Sequence, residues 1–235
     1  EGGTYFDNAM AIRRAYHTAE VAKQDRAVDK DAWDGTPYTV NAWYDPKCND
    51  ITFPAAILQA PLYDVNASRE ENLGGIGFVI AHEITHAFDN NGAKFDENGN
   101  AADWWKPEDY AAFQSRCQSV IDWYDGWEAM PGIACNGAQT ISENVADLGA
   151  VACITEAASE LPDPDYEALF CAVARLWRTT CTRTYLESQN NLDLHAPEKL
   201  RANRTLQTLE QFYQTFGIKV GDGMWTDPAV RVSVW

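Results

Sequence analysis

From Phe78 to Gly92 the chain reads "FVIAHEITHAFDNNG", and this stretch constrains the fold more than any other. It is apolar enough for a buried helix, yet it carries two of the chain's four histidines, four positions apart. Residues at that spacing share one helix face, so His82 and His86 can aim ring nitrogens at a single metal ion. Glu83 projects beside that face, where a carboxylate can take a proton from metal-activated water. The competing reading is a core helix that happens to hold two imidazoles. Burial makes that costly unless each ring finds a partner.

A catalytic zinc takes three protein ligands and keeps a fourth position open. In one lineage, the metzincins, a third histidine stands six residues after the second, with a glycine between. Here those positions hold Gly92 and Asp89, which excludes that arrangement. The other histidines are His17, in an N-terminal helical stretch, and His195, in a loop-like one. A carboxylate is the better third ligand. "SENVADLGA" (Ser142–Ala150) places Glu143 and Asp147 on one face of a second helix. Glu143 would ligate zinc, and Asp147 one turn later would accept the outer N–H of a ligand histidine, fixing its tautomer and raising its basicity. Most acidic pairs at this spacing are a solvated helix face. The neighbours Val145, Ala146, Leu148, Gly149, Ala150 and Val151 argue against that here.

The 235 residues are enough for one large domain or two small ones, and 46% hydrophobic residues with nine tryptophans support a sizeable core. Eighteen basic residues against 35 acidic ones give a formal net charge of −17. Such a surface repels phosphate backbones and anionic lipid, so neither nucleic acid nor membrane is an expected partner. No apolar run approaches the ~20 residues that span a bilayer. The six cysteines form no Cys-x-x-Cys pair, which argues against a thiolate zinc site. Cys153, Cys171 and Cys181 sit in helix-like apolar runs and read as small packed hydrophobes. Reduced thiols favour a cytoplasmic location, with an extracellular or cell-surface one as the alternative.

The period of apolar residues predicts a helix from Tyr5 to about Ala27, then a turn cluster over Asp34–Thr39. Alternation around Asp45-Pro46 and Asn49-Asp50 predicts a hairpin, followed by loop from Pro61 to Asn72. Further helices are expected over Gly74–Phe88, Pro107–Trp127, Ser142–Glu160 (with Ser142 as its cap), Asp165–Ser188 and Pro197–Phe216. Trp104, Trp105 and Trp225 are expected as core anchors. The fold class is α+β, predominantly helical, with a small sheet near the N-terminus.

Several of these segments, in this order, resemble the neprilysin / endothelin-converting-enzyme family of zinc metallopeptidases, in its bacterial oligopeptidase O-like form. They are "TPYTVNAWYDP", "ITFPAAILQAP", "GGIGFVIAHEITHAFDNNGAKFD", "ADWW", "ENVAD", "DLHAPEKLRANRTLQ", "GDGMW" and the terminal Val-Trp. The resemblance runs from about Trp33 to Trp235. It implies a gluzincin (thermolysin-like) catalytic domain over 33–235, a zinc endopeptidase of short peptides that cuts before a hydrophobic residue. Residues 1–32 would be a helix left from, or linking to, a helical lobe.

Carried over by position, the resemblance gives His82, His86 and Glu143 as ligands of one Zn2+ per chain, Glu83 as general base, Asp147 behind a ligand, and Asp89 as support. It makes His195 the group that stabilises the oxyanion and Arg201 the anchor for the peptide downstream of the cut. Both roles are chemically apt: developing charge needs a donor besides the metal, and a fork of donors suits carbonyl or carboxylate. Asn41 and Ala42 would pair with substrate backbone as an edge strand. Ile57, Phe78, Val79 and Trp177 would line the pocket for the hydrophobic side chain. The end Val232-Ser-Val-Trp235 lacks the cysteine that animal members carry there. The family's large helical lobe, which covers the active site, is a further expected partner. Its absence leaves a zinc-binding domain without turnover as the alternative function.

Overall fold

A computed structural model describes residues 3–33 and 35–234. Asp34, where the expected turn cluster opens, and Trp235, where the family resemblance ends, lie outside the described residues. The chain divides into two compact units, Glu1–Asp34 and Gly35–Trp235.

In the first unit, α1 (Tyr5–Val21) is opened by a capping box. The Thr4 hydroxyl accepts from Asp7 N, and the Asp7 carboxylate accepts from Thr4 N. The helix stops at Val21, short of the expected Ala27. It buries none of its residues, and Tyr5, Phe6, Ile12 and Tyr16 stand exposed.

The second unit begins with the expected hairpin. β1 (Trp43–Asp45) pairs antiparallel with β2 (Asp50–Thr52), Tyr44 opposite Ile51, and Asn49 closes the turn at φ 52°. Ala42 and Ile57 pack with Ile76, Phe53, Leu62 and Val79, which fixes the hairpin against the start of the histidine helix. That helix is not the single rod expected over Gly74–Phe88. A capped turn, α2 (Arg69–Asn72), leads into a π-helical segment, Leu73–Gly77, and only then into α3 (Phe78–His86). The break sits at Gly75 (φ −92°, ψ −106°), where any Cβ would run into the Leu62 carbonyl. Glycine permits both the off-helix dihedrals and this close approach.

α4 (Pro107–Tyr124) starts on the expected proline and ends at Tyr124, since Asp125 is extended and Gly126 has φ 75°. A second, unanticipated ribbon follows, β3 (Glu128–Met130) with β4 (Ile133–Ala134). α5 (Ile141–Ser159) buries residues on every face, as a helix apolar all round must. On one side Val145 and Leu148 meet Phe113, Val120 and Tyr124 of α4. On the other, Val151 and Ile154 join a cluster with Phe78 and Ala81 of α3. α5 is therefore the wall between two cores.

The expected Asp165–Ser188 helix is two, α6 (Tyr166–Leu176) and α7 (Arg183–Leu192). The run Thr179-Thr180-Cys181-Thr182 is poor in helix formers, and the Thr182 hydroxyl caps α7 by accepting from Tyr185 N. The expected Pro197–Phe216 helix also divides, into α8 (Glu198–Leu206) and α9 (Glu210–Phe216). Three smaller expectations fail as well. Cys153 is exposed rather than packed, and Trp104 is exposed while Trp105 packs on Phe113 and donates Nε1–H to the Ala93 carbonyl. Ser142 lies inside α5, whose N-cap position is Thr140.

The contact between α3 and α5 depends on Gly149, where a Cβ would stand 2.5 Å from Thr85 Cγ2 and 2.6 Å from its hydroxyl. Thr85 cannot easily yield, because its hydroxyl is donated to the Ala81 carbonyl. Gly149→Ala should gain up to ~1 kcal/mol in helix propensity but lose about 1–3 kcal/mol to overpacking. The expected net result is a Tm lower by several degrees in a thermal melt. An unchanged Tm would mean that Thr85 swings aside without cost.

Candidate metal centre

His82 and His86 lie one turn apart on α3, with ring centroids 4.6 Å apart and planes at 86°. Their outer nitrogens are held by carboxylates: His82 Nδ1 stands 2.9 Å from Asp147 Oδ1, and His86 Nδ1 2.7 Å from Asp89 Oδ2. An ionised carboxylate only accepts, so each Nδ1 carries a proton, and in the neutral ring Nε2 keeps the lone pair that a metal needs. Those two Nε2 atoms face each other at 3.0 Å. Glu143, from the first turn of α5, brings Oε2 to 3.2 Å from His82 Nε2 and 3.5 Å from His86 Nε2. That oxygen is buried and makes no hydrogen bond, although it sits within ion-pair distance of three imidazoles.

Two lone pairs and a carboxylate oxygen converging in a buried site repel one another unless a cation lies between them. Tetrahedral zinc, with ligands at about 2.0–2.2 Å, sets its donor atoms about 3.3 Å apart. The separations here fit that set, and the three donors are nitrogen, nitrogen and oxygen, a zinc-type combination. His82, His86 and Glu143 are the trio among the described residues whose ligand atoms all lie within 4.8 Å of one another.

The carboxylates around the two rings favour their charged forms. Burial opposes charge on His86, but Asp89 and Glu143 outweigh it and carry its pKa up to about 10. Burial likewise opposes charge on His82, and Asp147 and Glu143 raise its pKa above the usual value. Burial would raise the pKa of Glu143, yet the imidazoles of His195, His82 and His86 hold it far below the carboxylate range.

Asp147 is fully buried, and its partner besides His82 is Arg201, whose Nε donates to Oδ2 at 2.8 Å and Nη2 to Oδ1 at 2.7 Å. The guanidinium lies 3.7 Å above the ring of Trp177, which meets Phe78 edge-on at 5.8 Å. Glu83 is buried beside the histidines, and burial raises its pKa against the pull of His82 and His86. His195 points Nε2 at Glu143 Oε2 across 3.0 Å. The carboxylate of Asp193 accepts from its backbone N–H at 2.9 Å and lies 2.7 Å from its Nδ1.

These groups open onto a cleft of about 510 Å3, and Asn41, Ala42, Ile57, Phe78, Val79 and Trp177 all line it. Every residue singled out from the sequence as a site candidate is thus in or directly behind one cavity. Asp193 was missed, although its Asp-x-His spacing to His195 is the signal that could have found it. Ser142 was misread as a cap; its hydroxyl is donated to Asp89. His17 belongs to the Glu1–Asp34 unit. A second hollow of about 630 Å3, beside Arg204, Trp127 and Arg231, contains no histidine.

Comparison with known proteins gives the family. Residues 41–232 match Peptidase family M13. The chain is 42% identical over 233 residues to the neutral endopeptidase of Lactococcus lactis subsp. lactis, covering 99% of this chain and 37% of that one. Among solved structures it superposes on PepO from Lactobacillus rhamnosis with a TM-score of 0.84 at 41% identity, covering 88% of this chain and 33% of that one. On the inhibitor complex of the Mycobacterium tuberculosis zinc metalloprotease Zmp1 the TM-score is 0.86 at 38% identity, covering 93% and 36%. The chain therefore spans about a third of the length of these relatives. With residues 41–232 matched, from just ahead of β1 almost to the end of the sequence, the chain belongs to peptidase family M13.

Proposed function

We propose that this chain carries the catalytic centre of a zinc-dependent endopeptidase acting on short peptides, with one Zn2+ held by His82, His86 and Glu143. The observation that carries the proposal is the convergence of two imidazole Nε2 atoms and a carboxylate oxygen at 3.0–3.5 Å, with Glu83 beside them in the same cleft. Zinc in such a site supplies a Lewis acid for the scissile carbonyl and makes water acidic enough to attack at neutral pH.

The chain's own residues do the rest. Glu83 takes the proton of the attacking water and returns it to the leaving amine. A carboxylate whose pKa is raised by burial suits both halves of that task. His195, aimed by Asp193 and held in its charged form by Glu143 against the pull of burial, donates from Nε2 to the charge that develops on the carbonyl oxygen. Arg201 spends two of its five N–H donors on Asp147, which leaves three for the peptide beyond the cut. Asp147 and Asp89 hold the two histidine ligands in orientation. Asn41 and Ala42, just ahead of β1, pair with extended substrate backbone. Ile57, Phe78, Val79 and Trp177 receive a hydrophobic side chain, which sets a preference for such a residue after the cut.

The test combines metal analysis with cleavage of a quenched hydrophobic hexapeptide. One zinc per chain, cleavage abolished by a chelator and cleavage restored by added zinc are expected. A chain that takes up no zinc would overturn the proposal. Stoichiometric zinc without cleavage would favour the non-catalytic reading, in which turnover requires more of the protein than this third.

A further inference from the structure

We propose that Ser142 is a positioning residue of the metal centre: its hydroxyl clips the helix that carries Glu143 to the carboxylate that holds His86. The proposal rests on the zinc reading above and concerns how that site keeps its shape.

The Ser142 hydroxyl is buried and donates to Asp89 Oδ2, the same oxygen that stands 2.7 Å from His86 Nδ1. Asp89 is itself immobilised, because its other oxygen accepts from Asn91 N at 2.6 Å and Gly92 N at 2.7 Å, in the turn that follows α3. It therefore acts as a fixed post to which both His86 and α5 are tied. Ser142 immediately precedes Glu143, so a closed ring runs from His86 through Asp89, Ser142 and Glu143 back to His86 Nε2 at 3.5 Å. One turn further along α5, Asp147 reaches His82 in the same manner. The helices α3 and α5 are thus cross-braced twice, each time through a carboxylate that orients one ligand.

The first of these braces matters because of where Glu143 stands. First turns of helices have unpaired backbone donors and fray most readily. Here the N-cap residue, Thr140, gives the helix no side-chain cap; its hydroxyl is donated to the Asn136 carbonyl instead. A serine inside a helix ordinarily turns its hydroxyl to solvent or to the carbonyl four residues back, and Ser142 instead reaches across to the carboxylate that follows α3. Without that bond, the turn bearing the third ligand loses its hydrogen bond to the carboxylate that orients His86.

The experiment compares Ser142→Ala and Ser142→Thr with the wild type. It measures the rate of zinc loss to a chromophoric chelator and the Tm of each metal-free form. Residues that touch a ligand directly are worth ~10–100-fold in metal affinity, and Ser142 is one bond further out. Ser142→Ala is therefore expected to release zinc about 3–10-fold faster, with Ser142→Thr, which keeps the hydroxyl, close to wild type. Zinc release from Ser142→Ala at the wild-type rate, whatever its Tm, would overturn the clip. So would release from Ser142→Thr as fast as from Ser142→Ala, since volume rather than the hydroxyl would then be responsible. A wild-type chain that retains no zinc would defeat the metal reading itself, before the variants are compared.

Discussion

Glu83→Gln is expected to lower kcat by ~10²–10⁴-fold while zinc content stays at the wild-type level. The amide keeps the size of the carboxylate and disturbs none of the three donors, because His82, His86 and Glu143 approach one another without it. It removes a buried carboxylate that stands beside the histidines and can shuttle a proton. Glu83 starts with its pKa raised by desolvation, so the wild-type carboxylate is a stronger base than an exposed one. Parallel metal analysis and single-turnover cleavage check the split. Loss of zinc together with activity would move Glu83 from proton transfer to site architecture, and full activity would remove it from the mechanism.

Asp147→Ala should have the largest effect on stability. The fully buried carboxylate neutralises the Arg201 guanidinium through two short hydrogen bonds and also orients His82. Deleting one partner of a buried ion pair leaves the other charge desolvated and uncompensated, at a cost of ~3–5 kcal/mol. For a chain of this size that corresponds to a Tm lower by roughly 6–20 °C. Stacking on Trp177 recovers only a fraction of this, since a cation over an aromatic face contributes ~0.5–2 kcal/mol. The loss should appear in the metal-free protein, where zinc cannot mask it, and zinc affinity should fall by ~10–100-fold in addition. A metal-free variant melting within about 1 °C of wild type would contradict the ion-pair account.

How far the site could be read from sequence depends on the range of the interaction concerned. The pairing of His82 with His86 needed only the helical period, and so did that of Glu143 with Asp147. The capping box at Ser68 is a local pattern too, yet it opens α2 at the end of the stretch expected as loop from Pro61 to Asn72. Errors fell where two local signals competed. Ser142 has the composition of a cap, but a carboxylate from another helix won its hydroxyl. The segment 165–188 keeps an apolar period through Thr179–Thr182, yet the β-branched run and the cap at Thr182 break it. Trp104 and Trp105 are identical by composition, and only packing decides that the second is the anchor.

Side chains four apart on a helix share a face whatever surrounds them, so the candidate metal ligands are legible in the order of residues alone. Their meeting is a matter of packing. Glu143 is 57 positions beyond His86 and reaches it because Gly149 lets α5 lie against Thr85 of α3. Arg201 is 54 positions beyond Asp147, and His195 comes to Glu143 from a loop whose direction no local pattern records. Contacts of that kind arise from the summed packing of α3, α5, α6 and α8 around two cores, a long-range balance that no short window of residues contains.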